Sequence, residues 1–265
     1  MIEVLTKRNV DLKPPMLQPT TSSAPALEAA FDNRMKAPMC SGEASSCTAP
    51  DSLLRGTAAN DEPNQMGERQ SNTIDDCHDG TNGAYGTDES IESLCIVSVD
   101  PETDQPWDRP LRVGGKAKIT ARLHAYLVGN ADPSNDYADW YYKSDAAQPW
   151  TLIGTKRLLV GEVDSEGYGD FTSNSFDIRE GTLLEGTQLM KQVIRVDFRY
   201  QGEPSDNACT GGSWADTDDV IFSVAPSVPP TVPSTSPVSM IHGRSCTLFV
   251  FVFLAAFILI ICCVN

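Results

Sequence analysis

The clearest pattern in the chain is an alternation of apolar and polar positions between residues 116 and 127. One face would carry Ala117, Ile119, Ala121, Leu123, Ala125 and Leu127, and the other Lys116, Lys118, Thr120, Arg122 and His124. Because successive side chains of a β-strand point to opposite faces, this alternation predicts a strand with one buried side.

The same period of two recurs elsewhere between residues 31 and 225. Further strands are predicted at 138–144, 150–160, 192–201 and 218–224. No capped amphipathic helix interrupts them, and Gly, Pro, Asn and Asp separate them. The pattern predicts an all-β fold, specifically an antiparallel β-sandwich of jelly-roll type. Residues 57–92 and 161–175 are predicted to form long surface loops.

The C-terminal part has a different composition. Eighteen consecutive residues, from Thr247 to Val264, carry no charge, which is the length of a membrane span. A Ser/Thr/Pro-rich stretch precedes them and predicts an extended, disordered stalk. Small residues from Ser234 to Ser236 followed by a spacer also fit a GPI-attachment signal, with Ser234 as the lipid-attachment residue.

These patterns divide the chain into four parts. They are a disordered segment (1–29), a β-sandwich ectodomain (30–225), a stalk (226–246) and a hydrophobic helix or GPI-signal tail (247–265). We expect the tail to attach the protein to a membrane at the cell surface. Residues 1–20 lack the apolar stretch of a signal peptide, so a tail-anchored protein facing the cytosol is an alternative.

Charge narrows the classes of partner. The chain has 36 acidic and 20 basic residues and a formal net charge of −16. Nucleic-acid binders need basic surfaces that displace counterions from phosphate, so we expect no nucleic-acid partner.

Two acidic, glycine-bearing segments hold the candidate chemistry. Calcium (Ca2+) takes six to eight oxygen ligands, which flexible acidic loops provide. Solvated acidic loops are the alternative, as are paired carboxylates of an extracellular hydrolase. No GxSxG or HExxH motif is present, so no catalytic residue is assigned. The candidate metal ligands are Asp79, Asp88, Glu89, Asp216, Asp218 and Asp219.

Aromatic and basic side chains in the predicted strands have two interpretations each. Trp140, Tyr141, Tyr142 and Trp150 could stack sugars, although aromatics in strands more commonly belong to a core. Arg195 and Arg199 lie on one strand face, where we expect rim ion pairs of modest energy.

Five cysteines lie before the tail region, namely Cys40, Cys47, Cys77, Cys95 and Cys209. They form no CxxC pair, which argues against a zinc ribbon. Scattered cysteines in an acidic domain favour disulfides in an oxidising compartment, and the odd number leaves one unpaired.

Several of these segments resemble a known module. The loop CHDGTNGAYGTDES (77–90) and the ending FRYQG followed by CTGGSWADTDDVIF (198–222) are its most specific pieces. They resemble the accessory β-sandwich module found near the C-terminus of many secreted bacterial proteins, including extracellular peptidases. The similarity spans about residues 30–224.

The resemblance carries several implications. It implies a non-catalytic extracellular module in which Cys40, Cys47, Cys77 and Cys209 form two disulfides and Cys95 is the odd thiol. The family module is usually appended to a catalytic domain, whereas here only residues 1–29 precede it. We therefore expect a free-standing surface protein that binds a glycan, a matrix protein or another copy of itself.

Overall fold

The computed structural model describes residues 23–54, 72–80, 85–127, 132–183, 186–209 and 212–227. Twelve strands dominate them, and the helices are a single turn, α1 (Asp51–Leu54), and a 3-10 helix (Pro133–Asn135). The strands are β1 (Ala26–Glu28), β2 (Ala30–Asp32), β3 (Ala37–Met39), β4 (Ser46–Pro50), β5 (Ser90–Val99), β6 (Lys116–His124), β7 (Asp136–Lys143), β8 (Thr151–Arg157), β9 (Tyr168–Thr172), β10 (Phe176–Asp177), β11 (Met190–Tyr200) and β12 (Asp216–Val224).

The strands form two six-stranded sheets. The first sheet has the order β1-β4-β5-β6, and both β9 and β10 pair with the remaining edge of β6. The second has the order β2-β3-β12-β11-β7-β8. The prediction of a mostly β protein is therefore confirmed.

The predicted antiparallel pairing needs a correction, because both sheets are mixed. β1 pairs with β4 in parallel, and β3 pairs with β12 in parallel. Strands β2 and β3 of the second sheet lie between β1 and β4 in the chain, and this long connection permits a parallel pair. Side-chain alternation reports which face is buried and carries no information on strand direction.

The strands predicted from alternation are all present, with small shifts at their ends. Two segments that were predicted to be loops also contain strand residues. β5 begins at Ser90, inside the predicted loop 57–92, and β9 lies inside the predicted loop 161–175. β9 contains Gly169 and Asp170, which disfavour strands, but its pairing with β6 outweighs that local preference. The first strand begins at Ala26, four residues before the predicted domain start.

The two sheets share one hydrophobic core. Ile119 and Leu123 from the first sheet belong to the same buried cluster as Trp140, Phe198 and Phe222 from the second. A smaller cluster of Ala37, Val193 and Ile221 lies on the opposite face of the second sheet. Both faces of β11 and β12 are consequently buried, which the alternation in those strands does not indicate.

Two disulfides form among the four cysteines that the resemblance selects. Cys40 bonds to Cys47, Cys77 bonds to Cys209, and Cys95 is free. The second bond spans 132 residues and joins the segment before β5 to the loop after β11.

Within the described residues, no helix combines the length and apolarity that crossing a bilayer requires. Ser234 and the predicted tail at 247–265 lie outside those residues.

Candidate functional site

A cleft of about 380 Å³ opens between one end of each sheet. Glu89 directly precedes β5 and Tyr126 follows β6, while Asp136 begins β7 and Tyr200 ends β11. Since antiparallel neighbours place the start of one strand beside the end of the next, these positions meet at one edge. The cleft is lined by Asp88, Glu89, Tyr126, Asp132, Asn135, Asp136, Tyr200 and Trp214.

The deepest acids of the cleft are Glu89 and Asp136, which are only 3% and 2% exposed. Within the described ranges, no N–H or hydroxyl group donates a hydrogen bond to the buried Oε2 of Glu89. Burial, the hydrogen bond with Asp88 and the charge of Asp136 together raise the pKa of Glu89 to about 10. Glu89 therefore holds a proton at neutral pH in the empty cleft.

Asp136 titrates in a lower range than Glu89. Burial raises its pKa to about 7, a hydrogen bond from Glu89 lowers the pKa, and the charges of Asp88 and Asp132 raise it. The two buried carboxyl groups thus share a site in which full ionisation is unfavourable. A group that brings positive charge or hydrogen-bond donors would relieve this cost.

The backbone around the acids is held by hydrogen bonds. Nδ1 of His124 lies 2.7 Å from the carbonyl oxygen of Asp88, so this nitrogen carries the proton and donates. The N–H of Leu158 donates to the carbonyl of Asp136 over 3.0 Å. The carboxylate of Asp132 accepts from the N–H of Ser134 at 2.9 Å, and this backbone bond lowers the pKa of Asp132.

Three large aromatic side chains around the cleft are exposed. Tyr126 is 38% exposed, and Tyr200 and Trp214 are each 41% exposed. The rings of Tyr200 and Trp214 meet edge to face, with centroids 5.7 Å apart. Exposed rings of this size beside a cleft are typical of ligand-binding surfaces.

The predicted metal ligands are divided among different places. Asp88 and Glu89 line the cleft, whereas Asp79 and Asp216 are buried near the start of β12. Asp79 accepts from the N–H of Thr217 at 2.8 Å, and Asp216 accepts from the N–H of Ile91 at 2.5 Å.

The remaining two predicted ligands point in opposite directions from β12. Asp218 shares the face of Val220 and Phe222 toward the main core, and Asp219 points to the other side. The six acids therefore do not converge on one point. Across the described ranges, no three His, Cys, Asp or Glu side chains are placed to hold a metal ion.

Arg195 corrects the prediction of rim ion pairs, because it is fully buried on the outer face of the second sheet. Its Nε and Nη2 donate to Asp219 at 2.7 and 2.9 Å, and Nη1 donates to the carbonyl of Ala208 at 2.9 Å. It also pairs with Asp75, and its charge holds the pKa of Asp75 below the ordinary value although burial opposes this. The ring of Trp150 lies 4.3 Å from its guanidinium carbon.

Arg199 is buried in the same way, at 3% exposure. Its Nε donates to Asp139 at 2.6 Å and its Nη1 donates to the carbonyl of Gly202 at 2.6 Å. We refer to Arg195, Arg199, Asp75, Asp139 and Asp219 as the arginine network. The strand pattern predicts these arginines at an exposed rim. They are buried because loops cover the outer face of the second sheet.

The aromatic residues considered for sugar stacking do not form a platform. Trp140, Tyr141 and Tyr142 are buried, which confirms the core interpretation for these three. The hydroxyl of Tyr142 donates to Gln192 at 2.6 Å, and that of Tyr141 donates to the carbonyl of Ser205 at 3.0 Å. Trp150 packs on Arg195 instead of facing a cleft.

Six of the eight lining residues were absent from the sequence-derived candidate site: Tyr126, Asp132, Asn135, Asp136, Tyr200 and Trp214. Asp136 lies on the same inward-facing side of β7 as Ala138 and Trp140. A charged residue on the buried side of a strand is costly unless it has a partner or a function, so its position in the sequence could have identified it as a site candidate. No local signal distinguishes the exposed rings of Tyr200 and Trp214 from core aromatics.

Comparison with known proteins adds no identification. The chain matches none of the protein-family models and none of the curated proteins with which it was compared. The functional argument therefore depends on the cleft itself.

Proposed function

We propose that the protein is a non-catalytic binding module of the cell surface whose ligand occupies the cleft. The observation that carries this proposal is the buried Oε2 of Glu89, a cleft residue, which accepts no hydrogen bond from a donor group of the described residues. Leaving a buried polar group unsatisfied costs about 1–3 kcal/mol, so a ligand that pairs with it gains that free energy.

The proposed setting is extracellular. Two disulfides favour an oxidising compartment, and a 132-residue separation makes the Cys77–Cys209 bond effective at constraining the unfolded chain. We propose that the two sheets pack as a β-sandwich related to the accessory module of secreted proteins. The stalk and the apolar tail would hold it at the membrane, through a retained span or a lipid attached at Ser234.

A glycan fits the chemistry of the cleft better than a protein surface. Carboxylates accept hydrogen bonds from sugar hydroxyls, and the exposed rings of Tyr200 and Trp214 offer flat faces for sugar C–H groups. A cleft of about 380 Å³ is in the range of small-ligand sites and is concave where most protein interfaces are flat.

The proposal is tested by probing the full-length chain, in detergent, on an array of neutral, acidic and amino-bearing glycans. We expect one class to bind, and we expect Trp214→Ala to reduce that binding at least tenfold. Leu152→Ala is the control, because Leu152 is 44% exposed but lies on β8 outside the cleft. Absence of binding to every glycan, or unchanged binding by Trp214→Ala, would reject the glycan-binding proposal.

A second candidate is glycoside hydrolysis, because two buried carboxyl groups, Glu89 and Asp136, line the same cleft as the exposed rings of Tyr200 and Trp214. Glycosidases use a pair of carboxyl groups as acid and base or nucleophile. Release of reducing ends from a bound glycan by the wild-type chain but not by Glu89→Gln would support hydrolysis. Binding without turnover supports the binding module.

A further inference from the structure

We infer that the ligand of the cleft carries a primary ammonium group and is an amino sugar with a free amine. This inference rests on the proposed glycan-binding function and names its ligand class. It arises from a repeated arrangement in the molecule, in which a carboxylate, an aromatic ring and a cation come together.

Among the residues that the structure describes, three arginines complete this arrangement. In each case an arginine contacts an aspartate and lies over a ring, with 4.3 to 5.2 Å between its guanidinium carbon and the ring centroid. The sets are Arg195 with Asp219 and Trp150, Arg199 with Asp139 and Tyr137, and Arg122 with Asp170 and Tyr168. Each combines charge pairing with a cation–π contact.

The cleft contains two parts of this arrangement and lacks the third. It has carboxylates and exposed rings, but among the described residues its lining includes no Lys, Arg or His side chain. The neighbours of the Glu89 carboxyl group are themselves acidic, Asp88 and Asp136. An ammonium group from a ligand would complete the set and pair with the unsatisfied Oε2 of Glu89.

The shape of the site favours an amino sugar over a lysine side chain. Lysine presents a narrow chain that needs one acid and one ring, whereas the acids here are distributed along the cleft from Asp88 to Asp132 and Asp136. Several separate acceptors suit a ring that carries hydroxyl groups beside its amine. The edge-to-face pair of Tyr200 and Trp214 adds a broad apolar surface at one side.

The test compares two ligands with the same backbone, an oligomer of glucosamine and the matching oligomer of N-acetylglucosamine, in which the amine is blocked. Binding to the full-length chain in detergent is measured by calorimetry in buffer with EGTA. We expect the free amine to bind at least tenfold more tightly. We also expect Glu89→Gln to remove most of this preference.

Asp177→Asn is the matched control, because it removes one negative charge from an exposed pair with Lys116 outside the cleft. It should leave the preference unchanged, whereas Asp136→Asn should reduce it as Glu89→Gln does. Retained melting temperatures identify variants that are folded.

The outcomes separate the inference from the function on which it rests. Equal binding of both oligomers, or tighter binding of the acetylated one, overturns the inference and retains glycan binding. Failure of both oligomers, together with every other glycan, overturns the proposed function itself. Binding of oligolysine with the affinity and Glu89 dependence expected for the amino sugar would overturn the choice of a glycan.

Discussion

The arginine network lies on the second sheet and the cleft lies between the ends of the two sheets. Both bury carboxyl groups, but only the network supplies arginines to them. Asp219 accepts two hydrogen bonds from Arg195, and Asp139 is paired with Arg199. In the cleft, Glu89 and Asp136 have each other as the nearest ionisable neighbours, together with Asp88. A paired buried acid serves the fold, whereas an unpaired one at a cleft lowers stability and is available to a ligand.

The pKa shifts separate the cleft from the edge of the arginine network, although burial also raises the pKa of Asp219 at the centre of the network against the opposing charge of Arg195. Burial raises the pKa of Asp75, at the edge of the network, but the charge and hydrogen bond of Arg195 together with the hydrogen bond of Trp150 outweigh it and lower the pKa. At Glu89 in the cleft nothing outweighs burial, so the pKa of this carboxyl group rises to about 10. The comparison predicts that substitutions in the network destabilise the fold and that substitutions of the cleft acids do not.

The largest effect on stability is expected from the Cys77–Cys209 disulfide, which joins the two loops that cover the arginine network. Its 132-residue span predicts a loss of about 5 kcal/mol in the free energy of unfolding for the double variant Cys77→Ala, Cys209→Ala. The matched control, Cys40→Ala with Cys47→Ala, opens a span of 7 residues and should cost about 2 kcal/mol. Denaturant unfolding measures both, and equal losses would contradict this reasoning.

Arg195→Met should lower the free energy of unfolding by about 3–5 kcal/mol, because it leaves Asp219 buried without its cation. Arg122→Met removes an exposed pair with Asp170 and should cost less than about 1 kcal/mol. Thermal and denaturant unfolding of the two variants make the comparison. A small loss for Arg195→Met would mean that the network does not stabilise the fold.

Glu89→Gln should stabilise the protein. A carboxyl group whose pKa is raised by folding binds its proton more tightly in the folded state, so its contribution to stability declines as pH rises from about 4.5 toward 10. Glutamine does not ionise, so the variant does not lose stability in this way. Its free energy of unfolding should exceed that of wild type by an amount that grows from pH 4 and reaches at least about 1 kcal/mol at pH 8. A variant less stable than wild type at pH 8 would show that the Glu89 carboxyl is needed by the fold.

The smallest change in stability is expected for Trp214→Ala. Since Trp214 is 41% exposed, its removal should alter the free energy of unfolding by less than about 1 kcal/mol. Phe198→Ala removes a fully buried ring and should cost about 3–5 kcal/mol. If the two variants lost similar free energies of unfolding, Trp214 would be needed for the stability of the fold and would not be a side chain kept for ligand binding.

The sequence predicts the strands well and the site only partly. The alternation in residues 116–127 reports burial on one face, and β6 follows it closely. β11 shows where this reasoning fails, because both its faces are buried and its arginines pair with Asp219 and Asp139 on the neighbouring strands. Which acids remain unpaired depends on that pairing, so Asp88 and Glu89 could not be separated from Asp219 beforehand.

The central claim is that the two buried acids of the cleft, Glu89 and Asp136, lack a positive partner until a ligand provides one. The most direct measurement is a carboxyl NMR titration of Glu89, with and without a saturating oligomer of glucosamine. We predict that the pKa of Glu89 lies well above its ordinary value in the free protein and falls when the oligomer binds. An ordinary pKa in the free protein, or a raised pKa that the bound oligomer leaves unchanged, would contradict the claim.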